Sequence, residues 1–373
     1  MRLTKKKYSV FILGPDNRML VRDALKNRDY FYFDPESDDR PLSIKVIFYT
    51  LVYVFTFFSP KRSLLSSVKS AYLTALVRVI AKDIVITAID NNPHLYRAAK
   101  QLHHKIRFLV IQNGIKMYDN SYFYSDMKET FIPELICFGE YDRNKILNTL
   151  AKVKRFHLLG SAYEVKSRET SVLYQNFKNG NRDIKYGLCL VSEDFTNWND
   201  KFLGLEEASG KIAEFCWRFC LENQLKLVVA LKGIAGSSKR EAEIQFLNRF
   251  IDLNDPRITL TENKNWWSSY DAAIESHVSV GMVSTMLFEN ASRGLKVLIC
   301  DCYNKDWSFG DRQPLILQNR ELSYAKFKSA LDQIFDETHE EYYEKCKEQI
   351  RYFMAENSGV NFDNYLHKLI ETN

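Results

Sequence analysis

Between His277 and Asp301 the order of residues leaves few folds open. A short apolar run ends at Gly281, Ser284 and Thr285 open a helical pattern, Gly294 stops it, and a second apolar run, Val297-Leu-Ile-Cys, follows. Strand, helix and strand at this spacing form a βαβ unit, so the domain that carries it is of the α/β class.

The turn in that unit also carries chemistry. Gly281 lets the backbone approach a ligand closely, and Ser284 and Thr285 bring hydroxyls beside the N–H groups at the helix start, where an anion is favoured. Glu289 follows Thr285 by one helical turn on the same face, which offers an acceptor for the sugar hydroxyls of whatever carries that anion. A nucleotide monophosphate or diphosphate suits such a site. The same residues also suit an ordinary βαβ core in which Ser-Thr is only a helix cap.

The pattern Gly-x-x-Ser-Thr-x-x-x-Glu-x-x-x-x-Gly-x-x-Val-Leu, from Gly281 to Leu298, resembles the donor-binding segment of GT-B glycosyltransferases, particularly bacterial enzymes that build O-antigen, capsule or teichoic-type surface polymers. The resemblance implies two Rossmann-like doubly wound domains facing a cleft, with C-terminal helices that cross back onto the first domain. It also implies that Ser268 to Glu275 lies near the nucleotide base. The chain departs from the common retaining pattern of two glutamates on the donor helix, since Glu289 stands alone there.

Further runs fit the same architecture. Tyr8 to Gly14, Asp83 to Asp90, Ile106 to Gln112 and Glu134 to Gly139 are apolar stretches, each ending in glycine or polar residues. The last three recur every 22 to 30 residues or so, as repeated βα units do. Phe156 to Gly160 is a candidate last strand of this half, after a helix from Arg143 to Val153. Polar residues at the carboxyl ends of buried parallel strands point to the crevice where α/β proteins bind ligands. Asp90 is therefore the first choice for a catalytic carboxylate, as a general base or a nucleophile; helix capping is its alternative role. His94 could act as a base or hold a phosphate, and Asn91, Gln112 and Asn113 offer hydrogen bonds to acceptor sugar hydroxyls.

Ser161 to Lys185 is polar with weak periodicity and reads as the interdomain linker. Beyond it, Tyr186 to Ser192, a helix from Leu205 to Asn223, strand Leu225 to Lys232, a helix from Lys239 and a strand at Ile258 to Leu260 lead into the βαβ unit. Lys232, at a strand end, could supply a cation to a diphosphate. Trp266 and Trp267 could stack a base or sugar ring, although core packing is the better explanation; Trp307 lies on a further loop. The expected domains are 1–165 for the acceptor, 180–340 for the nucleotide-sugar donor, and 341–373 as helices returning to the first domain.

Val46 to Phe58 is 13 residues without a charge, between Lys45 and Lys61-Arg62. It is too short for a membrane span, which takes about 20 residues. Two readings stay open: a buried helix, or an aromatic, basic-flanked surface resting on a membrane near a lipid-linked substrate.

Composition narrows the function. With 373 residues, two domains are expected. A net charge of +5, dispersed apart from Lys5-Lys6-Lys7, argues against a nucleic-acid partner. The seven cysteines form no CxxC pair and read as reduced core residues of a cytoplasmic protein. No Asp-x-Asp run is present to hold a divalent metal against a diphosphate, so no metal and no cofactor are expected, only a nucleotide-sugar substrate held by helix N-termini and cations. Walker and Gly-x-Ser-x-Gly motifs are also missing, against a P-loop ATPase or an α/β-hydrolase.

The expectation is a cytoplasmic, metal-independent glycosyltransferase, peripheral at the inner face of the plasma membrane, moving a sugar from a CMP-linked Kdo-like or UDP-linked donor to a lipid-linked or oligosaccharide acceptor of a surface polysaccharide. A CDP-polyol phosphotransferase of the same fold is one alternative, although the His-Pro pairs typical of those enzymes are missing here. A catalytically silent assembly protein is another.

Overall fold

The computed structural model describes residues 6–14, 17–26, 28–35, 41, 43–60, 62–115, 130–193, 204–263, 267–302, 309–356 and 362–372. The chain divides into two compact units, Met1–Tyr163 together with Ala355–Asn373, and Glu164–Met354.

The first unit runs β1 (Tyr8–Leu13), α1 (Asn17–Leu25), β2 (Tyr30–Phe33), α2 (Ile44–Phe57), α3 (Leu64–Ile80), β3 (Ala81–Thr87), α4 (Pro93–Leu102), β4 (Arg107–Ile111), β5 (Phe131–Cys137), α5 (Glu140–Leu147) and β6 (Lys152–Leu158). Its six strands form one parallel sheet in the order β2-β1-β3-β4-β5-β6. The inner strands are almost wholly buried, as expected of a parallel sheet covered on both faces.

The second unit continues with α6 (Ala162–Thr170), α7 (Val172–Lys178), β7 (Tyr186–Val191), α8 (Leu205–Glu222), β8 (Leu227–Ala230), α9 (Ser238–Leu247), β9 (Ile258–Leu260), α10 (Ser268–Ile274), β10 (Ser276–Gly281), α11 (Thr285–Ser292), β11 (Val297–Asp301), β12 (Ile316–Gln318), α12 (Tyr324–Asp336) and α13 (His339–Phe353). Its sheet is also parallel and six-stranded, in the order β12-β11-β10-β7-β8-β9. The βαβ unit expected at 277–301 is β10-α11-β11. All seven cysteines are free thiols, and all but Cys302 are fully buried.

The last helix, α14 (Phe362–Glu371), belongs to the first unit, as the resemblance implied. It packs on α1, burying Phe362, Leu366 and Ile370 at helical spacing, and His367 Nδ1 lies 3.0 Å from the Ala24 carbonyl. Arg107 ties the tail down by donating to the Thr372 carbonyl at 2.9 Å, while its Nη2 bonds Glu134 at 2.7 Å. Burial alone would raise the Glu134 carboxyl, but hydrogen bonds from Arg107 and His157 outweigh it and hold the group down at about 2.

Four expectations need correction. The return to the first unit begins at Ala355 rather than 341, because α13 packs on α11 and its Tyr342 hydroxyl donates to the Val297 carbonyl at 2.5 Å. The stretch 161–185 is not a linker but carries α6 and α7, whose polar residues are buried because they are paired: Ser171 Oγ bonds Asp271 at 2.7 Å. Helix α5 stops at Leu147 and β6 begins at Lys152, an edge strand whose Lys152, Lys154 and Arg155 are exposed, as charges at a sheet edge usually are. Finally, α2 is not a buried helix: only Val46, Tyr53 and Phe57 are covered.

Candidate functional site

Strand order fixes where each parallel sheet opens. In the first sheet the chain passes from β1 outward to β2, then returns to β3 on the other side of β1, so the order reverses between β1 and β3. In the second sheet the reversal falls between β7 and β10. Loops leaving the strand ends at such a point diverge to opposite faces, and the crevice between them is where ligands bind in open α/β sheets.

Gly281 ends β10 at the second reversal point. A Cβ there would lie 3.0 Å from the Val191 carbonyl oxygen of β7 and 3.0 Å from Leu287 of α11, so glycine lets strand and helix pack closely where a side chain would press on both. Helix α11 starts immediately beyond. Ser284 occupies its N-cap position with extended backbone, yet its side chain bonds no helix amide. In α2, α3, α4, α7, α9, α12 and α13, by contrast, the Ser, Asn or Thr at this position accepts from a first-turn N–H. Capping therefore does not account for Ser284, which is buried just past the carboxyl end of β10. Thr285 begins the helix and is partly exposed.

Glu289 shares the face of Thr285 but is 3% exposed and accepts a 2.5 Å hydrogen bond from the Tyr270 hydroxyl of α10. The Tyr270 phenol is pushed well above its ordinary value by burial and by the Glu289 charge. The Arg293 guanidinium lies over the Tyr270 ring at 4.1 Å and bonds Glu164 at 3.2 Å, and Glu164 is also paired with Arg168. Sequence reasoning found Glu289 but missed this buried network, since Glu164 and Arg293 are 129 residues apart. The network fixes how α11 is seated on α6 and α10.

Lys232 follows β8, and its ammonium is paired with the carboxylate of Glu193 beyond β7. Its charge is thus shared with a protein acid, with the lysine side chain 44% exposed. The turn after it is held by Glu243, fully buried, which accepts from the backbone N–H of Lys232 at 3.0 Å and of Gly233 at 3.1 Å. Nothing in the sequence distinguishes Glu243 from solvated helix acids. Trp267 is half-buried, its ring 6.5 Å from that of Tyr270, while Trp266 and Trp307 lie outside the described residues.

In the first unit, Asp90 lies just past β3 at the other reversal point and is 1% exposed. Thr87 joins the two central strands there by donating to the Leu13 carbonyl at 2.8 Å. The helix cap that would otherwise explain Asp90 belongs to Asn92, whose side chain accepts from His94 N at 2.9 Å and Leu95 N at 3.2 Å. Tyr96 donates its hydroxyl to the Asp90 carbonyl and so fixes this turn from below.

His94 is drawn into the packing of α4 on α3. Its Nδ1 lies 2.8 Å from Ser70 Oγ, which also accepts from Arg97 at 2.9 Å. Burial, with the charges of Arg97 and Lys69, lowers the imidazole to about 4, so it is neutral at pH 7 and a weak base. Gln112 is spent on the backbone: its Nε2 donates to the Gly114 carbonyl at 2.8 Å and its Oε1 accepts from Phe138 N at 2.9 Å. Asn91 and Asn113 are exposed. The structure thus gathers Asp90 and Asn91 on one turn and Gln112 and Asn113 on the next strand end, and gathers Gly281, Ser284, Thr285 and Glu289 in the second unit.

No family model matches the sequence, and no curated protein matches it. Solved structures do. The UDP-GlcNAc 2-epimerase of Methanocaldococcus jannaschii, in complex with UDP-GlcNAc and UDP, is 13% identical, with a TM-score of 0.57 over 99% of this chain and 98% of its own. The two-domain fold is GT-B. The wall teichoic acid polymerase TagF shares it at 11% identity and a TM-score of 0.55, over 97% of this chain and 88% of that one. So does the UDP-forming α,α-trehalose-phosphate synthase of Burkholderia vietnamiensis, at 12% identity and 0.51, over 97% and 98%. GT-B architecture is therefore common to an epimerase, a polymerase and a synthase, and this chain's chemistry has to be argued from its own sites.

Proposed function

We propose that the chain is a glycosyltransferase that takes a sugar from a nucleotide donor and passes it to a lipid-linked acceptor of surface polysaccharide synthesis. The observation that supports this most is the Ser284 hydroxyl, released from capping at the mouth of α11 beside Gly281. In this reading the donor phosphate sits against Gly281, Ser284 and Thr285, where the positive end of the helix stabilises the departing nucleotide without a metal. Glu289, held by Tyr270, and Lys232, held by Glu193, are positioning residues on either side. Asp90 takes the proton of the acceptor hydroxyl, and Asn91 and Asn113 bind acceptor sugars. His94 and Gln112 shape the acceptor turn rather than react. A UDP-sugar is favoured because the similar epimerase is in complex with UDP-GlcNAc and UDP and the similar synthase is UDP-forming; a CMP-linked ulosonic acid keeps the same phosphate contacts. The reaction would run at the cytoplasmic face of the membrane that holds the acceptor.

Incubation of the protein with UDP-, GDP- and CMP-sugars and membrane lipid extract is expected to release one of these nucleotides only when the extract is present. Transfer from a CDP-polyol instead would assign the chain to the phosphotransferase alternative. No release from any donor, with no nucleotide bound, would overturn the enzyme reading in favour of a silent assembly protein.

A further inference from the structure

Helix α2 is amphipathic in the opposite sense to most surface helices. Its inner face rests on α3 through Val46, Tyr53 and Phe57, while Ile44, Ile47, Phe48, Leu51, Val52 and Phe55 recur at helical spacing on the outer face and are exposed, Ile44 by 87% and Phe55 by 84%. Phe58 after α2 and Leu64 and Leu65 at the start of α3 continue the apolar surface. A contiguous patch of this kind on a folded chain marks an interaction surface. At 14 residues α2 is about 21 Å long, short of the ~30 Å hydrocarbon core of a bilayer. Among the described residues no helix is long and apolar enough to cross a membrane.

Charge identifies the partner. At the N-terminal end of α2, where the apolar stripe begins at Ile44, a cavity of about 1030 Å³ opens. Its lining includes Lys7, Lys45, Arg78, Lys82, His104 and Lys105, and no carboxylate among the described residues. Two tyrosines of α2 form one wall and hold the arginine: the Arg78 guanidinium lies 4.2 Å from the Tyr49 ring centre and donates to the Tyr53 hydroxyl at 2.8 Å. Exposed apolar residues next to a cavity whose charged lining, among the described residues, is lysine and arginine complement a surface that is apolar within and anionic at its boundary. A bilayer of anionic phospholipids has that layering.

We propose that the α2–α3 hairpin docks this chain on anionic membranes, with the outer face of α2 lying among the acyl chains and the cavity at its foot receiving lipid phosphates. The inference goes beyond the transferase reading and does not depend on it, since docking needs neither donor nor acceptor.

The test is flotation of the full-length protein with vesicles of phosphatidylcholine alone and of phosphatidylcholine mixed with phosphatidylglycerol. Wild-type protein is expected to float with the anionic vesicles and to be released by salt. The variant Phe48→Ser/Leu51→Ser/Phe55→Ser is expected to lose binding to both. Lys45→Gln/Lys82→Gln/Lys105→Gln is expected to lower partition onto anionic vesicles by at least about tenfold, to near the phosphatidylcholine level. A Phe55→Cys variant carrying an environment-sensitive dye reads insertion independently of those substitutions, through a blue shift with anionic vesicles. Wild-type protein that stays unbound without a dye shift, or triple variants that float as wild type does, would overturn the proposal. A wild-type dimer that the serine variant splits, with no vesicle binding, would assign the face to a second copy of the chain instead.

Discussion

Replacing Asp90 with asparagine is expected to lower turnover by about 10²- to 10⁴-fold, the contribution of a positioned general base, while leaving nucleotide affinity unchanged. The expectation rests on position. Asp90 is buried at the reversal point of the first sheet, and the residues proposed to hold the donor belong to the second unit. Asparagine keeps the shape and removes the base. A purely structural aspartate at a helix entrance would behave differently, but that role is filled by Asn92. Asn92→Ala should therefore cost about 1 kcal/mol of stability and little turnover. Equal loss of turnover in both variants would place the effect in the fold of the turn and not in the chemistry.

Truncating Phe362 to alanine is expected to destabilise the first unit by about 3–5 kcal/mol, because the ring is fully buried between α14 and the body of that unit. Urea unfolding is the measurement. For two compact units that unfold in separate transitions, that of the first is expected to move to lower denaturant while that of the second stays in place. A shift of both together, or of neither, would contradict the assignment of the C-terminal helix to the first unit.

What the sequence made legible follows from how parallel sheets are buried. Their inner strands lie between helices on both faces, so β1, β3, β4, β7, β10 and β11 appear as apolar runs that stop where the chain reaches the carboxyl edge. The same stop singles out Asp90 and Gly281 to Thr285 as candidates from the sequence. Among the edge strands, β2, β12 and the start of β6 lack this signature: they are short or carry solvent-facing lysines and arginines. Helices α6 and α7 were hidden for the opposite reason. Glu164, Lys166, Ser167 and Ser171 are polar and buried, so the period that betrays a helix is carried by residues that read as loop. Their partners, Arg293 and Asp271, are far off in sequence. Burial also revised individual roles. His94 and Gln112 stand at promising strand ends, but one is engaged by Ser70 and the other by backbone of Gly114 and Phe138. For α2, the charge-free run left its outer face undecided, and only packing on α3 reveals that face as exposed.

Binding of a nucleotide phosphate at the N-terminal mouth of α11 is what the proposed transfer depends on. Calorimetric titration of the full-length protein with UDP, CMP, CDP and GDP tests it most directly. The account predicts that one nucleotide binds in preference to the others, and that Ser284→Ala and Thr285→Ala each weaken it by about tenfold, as loss of a hydrogen bond to a charged group does. Absence of binding by all four, or unchanged affinity in both variants, would contradict it.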